Sequence, residues 1–139
     1  MSAMRGAAAY GRGASAYAKV GVESGVMSAS PHQLIVMLFD GAIASIRTAR
    51  IHLEAGNMAE KGKAISRAMD IVNNGLAAAL DNERGGEVAG RLASLYDYIT
   101  RLLLNANLRR ETTSLDEAEN LLNEISSAWR DIGDQASSG

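Results

Sequence analysis

The chain has 139 residues, enough for one domain around a single core, and 47% of them are apolar, which excludes wholesale disorder. The net charge is −2 and no Lys/Arg run exceeds two residues, so a nucleic-acid surface is not expected. Cysteine is absent, which excludes disulfides and thiolate metal sites.

Two dozen Ala, few β-branched or aromatic residues and a single Pro, Pro31, make helix the expectation throughout. Residues 1–29 differ from the rest. They hold five Gly and four Ser, and after Tyr17 only Val20, Val22, Val26 and Met27 are sizeable and apolar. The composition suggests a flexible tip over 1–16 and an arm partly ordered from Tyr17 onward. No apolar run is long enough for a signal peptide or a membrane span, and the chain is expected in the cytoplasm without membrane insertion.

Ser30-Pro31-His32-Gln33 opens the first helix, with Ser30 as cap, Pro31 in the first helical position and Gln33 completing a capping box. The helix is expected over 31–55, with Gly56 left-handed beyond its end. Asn57 caps a second helix, 58–82, striped by Ile65, Ala68, Met69, Val72, Leu76 and Leu80; Asn73-Asn74-Gly75 is its place to kink. A third helix, 87–109, opens at Gly86-Glu87 and carries Leu92, Leu95, Ile99, Leu102 and Ala106. The fourth, 115–132, follows a capping box of Ser114 and Glu117 and is striped by Leu115, Ala118, Leu122, Ile125, Trp129 and Ile132. A polar tail, 133–139, completes the chain. Three-four alternation is the seam of near-parallel helix packing, and short loops join neighbours. The expected fold is all-α, an antiparallel up-down four-helix bundle spanning 17–132 with a partly ordered N-terminal arm.

A bundle helix needs one apolar stripe, yet Leu34-Ile35-Val36-Met37-Leu38-Phe39 is apolar at six consecutive positions. At about 100° per residue these go all the way round the helix. Leu102, Leu103, Leu104 and Leu108 likewise point in several directions, and Tyr96 and Tyr98 nearly oppose each other. The surplus needs a cover, and two fit: the chain's own arm, or a segment of a partner laid into the same grooves. On this reading Leu34, Ile35, Leu38, Phe39, Tyr96, Tyr98, Leu102, Leu103, Leu104 and Leu108 are candidate partner contacts.

Catalytic chemistry is missing. His32 and His52 are the only histidines and no Glu-x-x-His pair occurs, so no di-metal bundle site is expected. His32 reads as a solvated residue of a first helical turn, and His52 lies near the end of its helix, where a cation would complement the dipole. Gly85-Gly86 lacks the strand and Lys of a phosphate loop. The chain reads as a binding module that is not an enzyme and carries no cofactor. A self-associating structural bundle is the competing reading, and a metal enzyme on a bundle scaffold a distant third.

Three segments together resemble the flagellar secretion chaperone FliS family: SASPHQLIVMLFDGAI at 28–43, LDNERGGEVAGRLASLYDY at 80–98, and LLNANLRRETTSLDEAENLLNEISSAW at 103–129. The resemblance covers nearly everything from Tyr17 to Trp129. It implies a four-helix bundle that binds the disordered C-terminal segment of flagellin in the cytosol, prevents premature polymerisation and presents the client to the membrane export gate. Some relatives also bind an anti-sigma regulator. The family's arm tyrosine corresponds to Tyr17, in AYAKVGVESGVMSASP. By resemblance this stretch, with Val20 and Val22, rests on the first helix when no client is bound and helps contact the gate when one is. Ala14 stands where relatives carry a larger apolar residue.

Overall fold

The computed structural model describes residues 29–138; the expected tip, and the arm residues Tyr17, Val20 and Val22, lie outside them. Within the described residues the protein is all-α, with four helices and no strand.

Helix α1, Pro31–Glu54, begins as its sequence dictates. The Ser30 hydroxyl accepts from the Gln33 amide at 3.1 Å, and the Ser30 amide donates to Gln33 Oε1 at 3.0 Å, so two orphan donors are satisfied reciprocally. At the other end Gly56 takes φ 79°. Its amide reaches Leu53 O and the Asn57 amide reaches His52 O, the paired closure that favours glycine past a helix end.

Helix α2, Met58–Asp70, has Asn57 in the cap position, but the Asn57 side chain makes no capping bond. The helix then continues as a π-helical segment, Ile71–Ala77, where the sequence suggests a kink at Asn73–Gly75. The wider turn lets Gly75 lie directly against Leu38 of α1: a β-carbon there would come within 3.1 Å of Leu38 Cδ2. Gly41 of α1 in turn faces Ile71.

Helix α3, Asn82–Leu108, starts earlier than its sequence suggests. The Asp81 carboxylate accepts from the Arg84 amide at 3.1 Å and caps one preliminary turn, which breaks at Gly86 (φ 53°, ψ −123°). At its far end α3 is closed by a lysine from α2. The buried Lys61 ammonium donates to the carbonyls of Ala106 at 3.2 Å and Arg109 at 3.1 Å, with Asn107 O at 3.5 Å. Those carbonyls would otherwise be orphans of the last turn.

Helix α4, Thr113–Ser138, corrects two expectations. Ser114 lies inside the helix, buried, its hydroxyl accepting from Asn105 Nδ2 at 2.7 Å, while Glu117 accepts from the Tyr98 hydroxyl. The two residues are therefore spent on α3 and form no capping box. Gly133 does not end the helix either. Its φ is not positive, no Pro follows, and the His32 ring covers it.

The helices pack α1 on α2, α1 on α4, α3 on α4 and α2 on α3. Their shared core holds Ile35, Phe39, Ile46, Ile65, Val72, Leu76, Tyr96, Ile99, Leu103, Leu115, Leu122 and Trp129. Small residues at Ala42, Ala49, Ala64 and Ala68 let α1 and α2 approach closely. Ion pairs follow the α1–α4 seam: Asp40 with Arg130, Arg47 with Glu119, and Arg50 with both Glu119 and Asp116.

His32 corrects a further expectation. Rather than being solvated, it is half-buried, its ring stacked on the Trp129 indole at 4.5 Å and 18°. Its Nε2 lies 2.7 Å from Trp129 O and therefore carries the proton, since a carbonyl only accepts. The Trp129 indole N–H returns a bond to His32 O at 3.1 Å. A first-turn position leaves one side of a helix free, and here α4 fills it.

Candidate functional site

Among the described residues no group of three or more His, Asp or Glu converges to hold a metal. No helix among them is long and apolar enough to cross a membrane. What distinguishes the surface is apolar: Met37 and Ile51 on α1, and Tyr98, Leu104 and Leu108 on α3.

The ten candidate contacts separate by burial. Ile35, Phe39, Tyr96 and Leu103 are fully enclosed, and Leu34 nearly so; Phe39 and Tyr96 meet with ring centroids 6.5 Å apart. These five belong to the interior and present no surface to a partner in this conformation. Leu38 and Leu102 are half-buried against the core. Tyr98, Leu104 and Leu108 are exposed by 41%, 49% and 79%. The six apolar positions of α1 are thus mostly absorbed: three buried, two half-buried, and only Met37 turned out.

On α3 the inward stripe is Ala89, Leu92, Tyr96, Ile99, Leu103 and Ala106, with Leu92 only half-buried. It keeps Leu92, Ile99 and Ala106 of the stripe that spacing alone suggests and replaces Leu95 and Leu102 by their neighbours Tyr96 and Leu103. Leu104 and Leu108, an i,i+4 pair, point outward on one face. Exposed leucines one turn apart remain in water at a cost that a partner would remove, roughly 1.5–3 kcal/mol for each side chain fully buried.

The face has polar edges on both sides. Toward α4, Tyr98 donates to the Glu117 carboxylate; that bond first, then burial and the carboxylate's charge, raises the phenol above its ordinary pKa, so it stays protonated. Toward α2, Thr100 Oγ1 donates to Asn73 Oδ1 at 2.9 Å, and Gly62 lies beside Asn107. Asp97 and Arg101 pair along the outer surface. Sequence reading missed Lys61 and the cations that follow Leu108. A lysine in a helix's first turn ordinarily reads as solvated, and nothing in the pattern signals that it closes another helix.

Among the described residues, the exposed apolar side chains of α3 set this surface apart. Comparison with known proteins gives the family. Residues 13–136 match the family model described as "Flagellar protein FliS". The chain is 54% identical over 125 residues to the flagellar secretion chaperone FliS of Salmonella typhimurium, covering 90% of this chain and 93% of that protein. It is 42% identical over 120 residues to the Escherichia coli K12 protein of the same name, covering 86% and 88%. To the Bacillus subtilis FliS it is 30% identical over 108 residues, covering 78% and 79%. The chain belongs to the FliS family, a family of flagellar secretion chaperones and not of enzymes.

Proposed function

We propose that this chain holds the disordered C-terminal segment of flagellin in the cytosol, keeps it from polymerising, and hands it to the cytosolic domain of the flagellar export gate. The observation that carries this reading is the outward face of α3, where Leu104 and Leu108 stay exposed beside a complete core. A flagellin terminus that folds only on assembly has apolar helix faces of its own, and a helix laid on α3 would cover both surfaces. Ordering the client costs part of that gain, which keeps the hold reversible without a nucleotide.

The scaffold for this is an up-down antiparallel bundle. Support comes from the order of contacts between neighbours. On α1 and α4, His32 meets Trp129 while Arg50 meets Asp116. Between α1 and α2, Leu38 meets Gly75 while Gly41 meets Ile71. Between α2 and α3, Lys61 meets Ala106 while Asn73 meets Thr100. Between α3 and α4, Tyr98 meets Glu117 while Asn105 meets Ser114. In each pair, low numbers on one helix face high numbers on the next.

Residues 17–27 fit the role of a temporary cover on α1, near the exposed Met37, with Tyr17, Val20 and Val22 freed for the gate once the client is bound. An anti-sigma regulator is a further partner in this reading. A chain shortened to begin at Ser28 should bind client at least as well as the full chain; unfolding or outright loss of binding would reject the temporary cover.

The central test is calorimetric titration of the full chain with the flagellin C-terminal segment. A one-to-one complex is expected, and L104A/L108A should weaken it about tenfold or more, from the area lost, with an unchanged melting temperature. A chain that ignores the segment and instead grows in size with concentration would favour the self-associating bundle.

A further inference from the structure

The end of α3 next to Leu108 is unusually electropositive. A helix C-terminus ordinarily carries about half a negative charge. Here the buried Lys61 ammonium sits on its last carbonyls, and exposed Arg109 and Arg110 follow directly. Arg109 Nε is steadied by Asn105 Oδ1 at 3.1 Å. Among the described residues no carboxylate pairs with any of the three cations. Of the acids at this end of the bundle, Glu60 is engaged by Lys63 and Asp116 by Arg50. Only Glu111 adds an opposing charge in the same loop. On a chain of net charge −2 this is a local concentration of positive charge, continuous with the two exposed leucines.

We propose that the α3 leucine face and this cationic end form one docking surface, built for an amphipathic helix whose apolar stripe ends in Asp or Glu side chains. The inference rests on the reading of α3 as the client face and adds the client's chemistry. Apolar residues of the flagellin segment cover Leu104 and Leu108, and its carboxylates lie over Arg109 and Arg110. The unpaired cations are the argument: a guest of the wrong polarity would leave them facing apolar groups, whereas carboxylates gain charge-assisted hydrogen bonds. The buried Lys61 adds its field without being able to move toward solvent.

The test titrates the full chain, its R109Q/R110Q variant and its L104A/L108A variant with three synthetic forms of the flagellin C-terminal segment. These are the native peptide, one with Asp and Glu replaced by Asn and Gln, and one amidated at its C-terminus. At low salt the arginine variant and the side-chain amide peptide should each lose about fivefold in affinity, as expected for two exposed charge pairs. Combining the two should cost little more than either, and the difference should shrink at about 0.5 M salt. The amidated peptide should bind like the native one. If L104A/L108A weakens binding while the charge changes do nothing, the inference is overturned and the chaperone reading stands. If only amidation matters, the terminal carboxylate is the anion recognised and the inference is likewise overturned. If L104A/L108A binds like the unaltered chain, the α3 face is not the client site and the inference falls; if no form binds, the chaperone reading falls with it.

Discussion

Gly133 lies one turn beyond Trp129 on α4, and the His32 ring packs over both. A β-carbon at 133 would overlap that ring, so Gly133→Ala forces apart the first turn of α1 and the last third of α4, despite the higher helix propensity of Ala. The expected outcome is a loss of about 1–3 kcal/mol in urea unfolding. The double change His32→Ala with Gly133→Ala should recover part of that loss, because the clash has then gone. Lys61 makes a second residue-scale prediction. Lys61→Met keeps the buried stem but leaves the carbonyls of Ala106 and Arg109 without their donor. It should cost about 1–3 kcal/mol in the same measurement. Neither residue was legible beforehand: a histidine in a first turn and a lysine near a helix start look solvated until a distant element is placed over them.

At the scale of elements, the α1–α4 seam makes stability depend on acid. Burial alone would raise the Glu119 pKa, but hydrogen bonds from Arg50 and Arg47, with their charges, hold it below the ordinary carboxylate value of 4.5. The native state therefore binds this proton less readily than the unfolded chain. The stabilisation is fully present above the unfolded value and is lost as pH falls through the lower, folded one. Thermal melts from pH 6 down to pH 3 should show that Glu119→Gln is less stable than the unaltered chain at pH 6. The gap should narrow toward pH 3; a constant gap would refute the coupling.

The four apolar stripes were not equally readable. On α4, Leu115, Ala118 and Leu122 are buried on the face that their spacing marks. On α3, Leu102, Leu103 and Leu104 supply apolar side chains in three directions, so spacing could not choose between two stripes that differ at Leu95 or Tyr96 and at Leu102 or Leu103. Packing chose, sending Tyr96 and Leu103 inward and Leu104 outward. The π-helical segment was visible only as a weak spot at Asn73–Gly75. Its cause is tertiary, the close approach of Gly75 to Leu38.

For the molecule as a whole, helix content and the two ends of α1 could be read because Pro31, Gly56 and the alternating leucines act locally. The usable surface could not, since exposure is what remains after every helix has chosen its inward face. Interior and surface should therefore respond differently to truncation. Phe39→Ala, at the centre of the core, should lower stability by about 3–5 kcal/mol. Measured well below its melting temperature, it should still bind the flagellin segment, whereas L104A/L108A should do the reverse.

The stacking of His32 on Trp129 has one more consequence. Trp129 is the chain's sole indole, and it sits where the start of α1 meets α4. Its ultraviolet emission is thus a label-free gauge of that junction, brightening or shifting as the imidazole leaves its face. Events elsewhere on the bundle should leave the spectrum unmoved, so one fluorimeter trace can tell which end of the molecule a partner has disturbed.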